Sequence, residues 1–329
     1  MIRYILKRIL IIIPVMIGVS FIVFCMIYFT PGDPAELILG VDATPESVAV
    51  LREELGLNAP FFVRYFNYMK GIVTKLDFGT SYTTGRSVTS ELLDRFPTTL
   101  TLSIVGMSIG TLIGVSAGIV SATKQYSVFD NLATLIALTG ISMPNFWTGL
   151  MLIILFAVKL DWLPSSGFTT PLHWILPAST IGFATCASIM RMTRSSMLEV
   201  LRADYITTAR AKGQTERKVI FHHALRNALI PVVTTIGTTF GTMLGGAVLV
   251  ESVFAIPGLG KLLVDAVNNK NYPMVQGGVL FIALCFSLVN LLVDLLYAAL
   301  DPRIKAQYKS TTARVKKRAV AAKSQGKEA

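Results

Sequence analysis

Long apolar runs, rather than strict alternation of polarity, organise this chain. Six stretches, residues 9–29, 98–120, 132–157, 174–190, 231–250 and 276–299, read as helices that cross a hydrocarbon core. Such a core is about 30 Å thick and takes roughly 20 helical residues to span. Within those bounds only the last stretch holds an ionisable side chain, Asp294, and the fourth stretch is the shortest. A β-barrel does not fit, because barrel strands are short segments of alternating polarity. Residues 9–16 and 150–158 are instead almost continuously apolar. The expected fold class is an all-α integral membrane protein with six transmembrane helices.

The segments between the runs are patterned too. In residues 31–96, Thr44-Pro45 supplies an N-cap followed by proline at the first helical position. Val48, Leu51 and Leu55 then share a helical face, and Gly56 can end the helix in a left-handed conformation. Pro60 opens a second helix rich in aromatics (Phe61, Phe62, Tyr65, Phe66 and Tyr68), and a third short helix is expected at 88–96. Arg52, Glu53, Glu54 and Arg64 keep these helices from spanning, so they are expected to form a cap at the membrane surface, where aromatic residues concentrate. Interfacial packing and direct substrate contact both remain open for that cap.

Residues 191–230 are strongly basic and helically patterned. Residues 195–201 continue the fourth span, Asp204 is a candidate N-cap, residues 205–212 make about two turns, and Gly213 stops the helix. Thr215 then caps a helix through Val219, Ile220, Phe221 and Leu225 that runs toward Pro231. A helix as short as the first is marginal alone in water, so it must dock on something. Thr208, Arg210 and Lys212 around the small Ala209 and Ala211 suit either a lever received by a partner's groove or a basic helix on anionic lipid.

Composition supports the membrane reading. Of 329 residues, 53% are hydrophobic and 15% charged, against roughly 25% charged in soluble domains, and the mean hydropathy is +0.61. The formal charge of +11 has a direction. With the N-terminus inside, 21 of the 30 lysines and arginines fall on cytoplasmic segments, as the positive-inside rule requires. That distribution accounts for the basic character without nucleic acid. Arg3, Lys7 and Arg8 precede an apolar run longer than the h-region of a leader, with no small-x-small site after it. A retained anchor is therefore expected. Cys25, Cys186 and Cys285 lie inside proposed spans without paired spacing and read as small buried hydrophobes.

Candidate chemistry is sparse. Five spans lack the ionisable groups that a carrier uses to bind a driving ion or relay protons. Asp294, near the inner end of the sixth, reads as a structural carboxylate within reach of a cytoplasmic arginine. Gly258-Leu259-Gly260-Lys261 lacks the first glycine and the Ser/Thr of a phosphate loop. His222 and His223 diverge by about 100° on a helix and cannot share a metal, and no nucleophile–base set assembles on one side. No catalytic residue and no metal site is expected. A membrane path with no energy source of its own, plus a basic lever, points to a subunit driven by a separate motor. An ion-coupled carrier and a membrane-anchored scaffold are the competing classes.

The stretch from Arg191-Met192-Thr193-Arg194-Ser195-Ser196-Met197-Leu198-Glu199-Val200-Leu201 through Asp204-Tyr205-Ile206 and Thr208-Ala209-Arg210-Ala211-Lys212-Gly213 resembles the cytoplasmic loop of bacterial dipeptide and oligopeptide ABC-transporter permeases. Pro31-Gly32-Asp33-Pro34, His223-Ala224-Leu225-Arg226-Asn227-Ala228, Pro257-Gly258-Leu259-Gly260, Gln276-Gly277-Gly278 and Asp301-Pro302-Arg303 add to the resemblance, which reaches residue 304 and is nearest the B-type subunit of dipeptide importers. Of the broader family's Glu-Ala-Ala-x-x-x-Gly pattern, Ala209 and Gly213 fit, whereas Thr207 and Thr208 depart from it.

The resemblance implies a type I ABC importer permease fold in the bacterial inner membrane, with both termini cytoplasmic. The implied partners are a second homologous permease, two ABC ATPases and an external substrate-binding protein. It implies no cofactor on this chain, with ATP and Mg held by the ATPases, and it implies import of dipeptides or short oligopeptides. ATPase coupling would fall to Asp204, Tyr205, Thr207, Thr208, Ala209, Arg210, Ala211, Lys212 and Gly213. Gly140, Met143, Pro144 and Gly149 are pathway candidates, with Gly140, Pro144 and Gly149 as helix breakers that allow bending or close packing. The expected organisation is an anchor at 1–30, an external cap at 31–96, a permease core at 97–300 with its coupling loop at 191–230, and a basic, disordered tail at 301–329.

Overall fold

Glycine recurs at every fourth position, at Gly106, Gly110, Gly114 and Gly118, and that spacing builds the centre of the molecule. The computed structural model describes residues 2–40 and 43–300; the expected basic tail lies outside them. The glycines share one face of α5 (Val88–Thr123), which packs along α8 (Pro171–Leu201). A methyl group added at Gly110 would lie 2.7 Å from Thr185 Cβ and 2.8 Å from the Gly182 carbonyl oxygen. One added at Gly118 would lie 2.6 Å from Thr193 Cβ and 2.8 Å from the Met190 carbonyl oxygen. Absent side chains let two backbones meet, as small residues do wherever membrane helices associate by close packing.

Other helices assemble around that pair. α11 (Leu225–Gly246) packs on α8 and α5, α14 (Tyr272–Leu300) on α11, and α1 (Ile2–Phe29) on α14. Arg8 of α1 meets Asp294 of α14 at 2.6 Å, giving that carboxylate the arginine the sequence led us to expect. Among the described residues, five helices are long and apolar enough to span a membrane.

The third expected span is not a single rod. α6 (Val128–Ser142) and the rod formed by α7 (Asn145–Leu152) with the π-helical turns Ile153–Lys159 diverge by 108°, and together they make the sixth candidate span. Pro144 has no N–H to give, and its ring forces Met143 out of the helical region, to φ −80° and ψ 128°.

The segment at 88–96 is likewise not separate. It forms the first turns of α5, which runs on through Pro97. Before it come α2 (Pro34–Leu39), α3 (Pro45–Glu54) and α4 (Phe61–Lys75). Thr44 caps α3 by accepting from Ser47 N–H at 3.3 Å, and Gly56 follows that helix at φ +66°. Phe61 and Tyr65 of α4 set their rings edge-on against Phe21 and Phe24 of α1, and the Tyr65 hydroxyl lies 2.9 Å from Ser20 Oγ. The turn at 79–87 is tied to α14's start by Asn271, which donates to Ser81 and Thr83 and accepts from the Tyr82 amide.

After α8 come α9 (Asp204–Ala211) and α10 (Glu216–Lys218), whose π-helical continuation Val219–Ala224 feeds α11. α12 (Val248–Val253) and α13 (Leu259–Asn268) link α11 to α14. Buried apolar clusters lie along the bundle, one at the α9 end around Met197, Ile206 and Val219, and one near the opposite end around Val88, Leu92 and Met274. Among the described residues there is no strand, only an isolated bridge between Thr80 and Ser87.

Candidate coupling helix and translocation face

α9 is held by one apolar side chain in a polar sequence. Ile206 is fully buried among Ala122, Met197, Val219 and Ala224, with Ala209 half-buried beside them. Asp204, Tyr205, Thr207, Thr208, Arg210, Ala211, Lys212 and Gly213 remain exposed. The structure thus gathers the expected lever residues on one outward surface, and Ile206 is the anchor that sequence reasoning passed over. Asp204 is the first residue of the helix rather than its cap; Ala203 holds the extended cap position.

The end of α9 is defined by Gly213, at φ +76°, a conformation that costs glycine no steric clash. Across that turn Arg210 grips Glu216 with two nitrogens, at 2.7 and 3.3 Å. This partner raises the guanidinium's pKa above its ordinary value. The Tyr205 hydroxyl accepts from Asn227 Nδ2 at 2.7 Å, tying α9 to the base of α11. α9 is thus braced at both ends and exposed along its outer face.

The pathway candidates separate into two pairs. Gly140 is buried against Phe183 and Ala187 of α8, and Gly149 is buried against Val253 and Phe254, so both serve helix packing. Met143 and Pro144 line an open groove of about 550 Å³ at the break, with Leu138, Thr139, Ser142 and Trp147. Leu138 also lines a second groove, of about 650 Å³, that continues between α6 and α8 to Arg202.

Three buried carboxylates fell outside the sequence-derived sites: Glu91, which accepts from the Thr84 hydroxyl, Asp130 and Glu251. Asp130, 1% exposed, takes two hydrogen bonds from Arg194, at 2.6 and 2.8 Å, and others from the Ser121 hydroxyl and the Tyr126 amide. The Ser127-x-x-Asp130 cap pattern was its available signal. Glu251 in α12 accepts from Thr99 Oγ1 at 2.6 Å and the Lys261 amide at 3.0 Å, joining α5 to the start of α13. Burial pushes this carboxyl above its usual range, against the hydrogen bonds from Thr99, Lys261 and Gly260. Among the described residues no cluster of side chains is fit to hold a metal.

Residues 110–306 match the model of the binding-protein-dependent transport system inner membrane component, and residues 1–103 match its N-terminal companion. The chain belongs to this permease family. The permease is 45% identical to the dipeptide transport system permease protein DppB of Alkalihalophilus pseudofirmus, over 93% of this chain and all of that one. It is also 45% identical to the glutathione transport system permease protein GsiC of Salmonella typhimurium, over 93% and 99% of the two chains. Its fold is that of the type I ABC importers. A solved inward-facing MetNI methionine ABC transporter superposes with TM-score 0.54 at 20% identity, over 64% of this chain and 96% of that one. The permease is accordingly a multi-pass transport component, not an enzyme, and ATP hydrolysis in such systems falls to a separate subunit.

Proposed function

We propose that this permease is one of two related membrane subunits of an ATP-driven importer that takes up dipeptides or short oligopeptides from an external binding protein. The 45% identity to a dipeptide permease over the whole of that protein supports the substrate class. The equal identity to a glutathione permease makes that tripeptide the second reading. In this proposal α9 is the surface on which the ATPase subunit acts, and both termini are cytoplasmic, as the lysine and arginine distribution favours. ATP and Mg belong to the ATPases. The anchor at 1–30, cap at 31–96, core at 97–300 and tail at 301–329 are kept as its proposed organisation.

The observation that carries the coupling role is the bracing of α9, with Ile206 in the core, the Arg210–Glu216 clasp and the left-handed Gly213. ATP-driven closure of the motor subunits pushes α9 and opens the path outward, and hydrolysis resets it. Nothing lies within 4 Å of a methyl added at Gly213, so substitution there strains the turn without a clash. In a reconstituted complex, Gly213→Val should leave ATP turnover running while peptide uptake falls by about tenfold or more, because a β-branched residue is a genuine outlier at positive φ. Gly213→Asn, which tolerates the left-handed region, should keep most uptake. Full uptake by Gly213→Val would remove the lever assignment.

A further inference from the structure

The groove between α6 and α8 carries unspent charge of both signs. Arg191, Ser195 and Glu199 recur at every fourth position and line it together, so one stripe of α8 presents a cation, a hydroxyl and an anion in order. Arg194, in the same wall, is committed to Asp130, and Arg202 reaches Gln125 at 3.5 Å. Among the described residues, neither Arg191 nor Glu199 has a hydrogen-bond or ion-pair partner. Eight residues of helix separate them by about 12 Å along the axis. That spacing is close to the length of an extended tripeptide, about 11 Å at up to 3.6 Å per residue.

We propose that this groove is the inner receiving site for a short zwitterionic peptide, with Arg191 meeting its terminal carboxylate and Glu199 its terminal ammonium. The inference rests on the peptide reading above and extends it to named residues. Three features select this ligand class. The cavity, about 650 Å³, has room for two or three residues. Its apolar wall of Ala137, Leu138 and Met190 suits side chains of any kind, so recognition falls on the ends that every peptide shares. An anionic lipid headgroup, the other candidate for arginines between membrane helices, would be opposed by the unpaired Glu199. Leu138 lines both this groove and the one at the Met143–Pro144 break, so the two lie side by side along α6.

The test uses the complete complex in nanodiscs, without nucleotide or binding protein, and measures equilibrium binding of a labelled tripeptide in free, N-acetylated and C-amidated forms. Blocking either end should weaken binding to the unaltered complex by about tenfold, the scale of one charge-assisted hydrogen bond. Arg191→Gln should abolish the discrimination between free and amidated peptide while keeping that between free and acetylated. Glu199→Gln should do the reverse. These are ratios within one preparation, so partial loss of folded protein does not imitate them. Unchanged ratios in both variants would overturn the proposal, as would an Arg191→Gln effect that appears only in discs containing phosphatidylglycerol, which would make the groove a lipid site. Uptake of free tripeptide by the unaltered complex with its binding protein, in proteoliposomes, tests the underlying peptide reading separately. If uptake proceeds and the ratios do not move, only the groove assignment fails.

Discussion

Alanine in place of glycine ordinarily strengthens a helix, by roughly 0.5–1 kcal/mol, because glycine loses more backbone freedom on ordering. The α5–α8 seam reverses that sign. At Gly110 the new methyl would sit 2.8 Å from the Gly182 carbonyl oxygen, a backbone atom that no rotamer change moves aside. The two axes must then part by several tenths of an ångström, with lost contact at Gly106 and Gly114 on either side. Overpacking of this kind costs about 1–3 kcal/mol. After the propensity gain, Gly110→Ala should destabilise by about 0.5–2 kcal/mol, and Gly110→Ala with Gly114→Ala by about twice that. Gly18 of α1 supplies the control, since nothing lies within 4 Å of a methyl built there. Thermal unfolding of the detergent-solubilised complex, read by loss of the monodisperse peak on size exclusion, should show Gly18→Ala at or above the parent midpoint and Gly110→Ala several degrees below it. Equal midpoints for the two variants would refute the close-packed seam.

The Asp130–Arg194 pair should behave as a unit. Asp130 is 1% exposed and Arg194 25%, so Arg194→Met alone strands a buried carboxylate at a cost of about 3–5 kcal/mol, while Asp130→Asn with Arg194→Met recovers much of it. A double-mutant cycle on unfolding midpoints checks this, and additive losses would contradict it. Glu251 predicts a pH dependence. Its folded pKa lies above the unfolded one, so its contribution is intact below the unfolded value and is lost as pH rises through the folded value. The unfolding midpoint of the parent should therefore fall more steeply with rising pH than that of Glu251→Gln, and parallel profiles would count against it.

Sequence patterns located the spans well because apolar length is a local property. They failed where direction matters. Residues 132–157 carry no charge and are mostly apolar, and a hydropathy window has no way to register the turn at Met143–Pro144, although Pro144 marked the place. The glycines at 106, 110, 114 and 118 were visible, but their partner on α8 was not, because register between distant helices is set by packing. The short exposed helix ending at Gly213 was legible from that glycine and its polar neighbours, whereas Ile206 looked like any lone apolar residue. Asp130 and Glu251 were missed because each draws its partners from distant segments, Arg194 and Thr99.

The break at Pro144 also fixes which way its side of the molecule must look. α7 starts without a side-chain cap, and its first internal bond runs from the Thr148 amide to the Pro144 carbonyl at 3.1 Å. The amides of Asn145, Phe146 and Trp147 precede that bond and point out of the helix end, as the leading amides of any helix do. Acyl chains have nothing to offer an N–H, and each one abandoned to them costs several kcal/mol. The mouth of the break therefore has to open on water or on another polypeptide, while the oily sides of α6 and α7 are left to meet the bilayer.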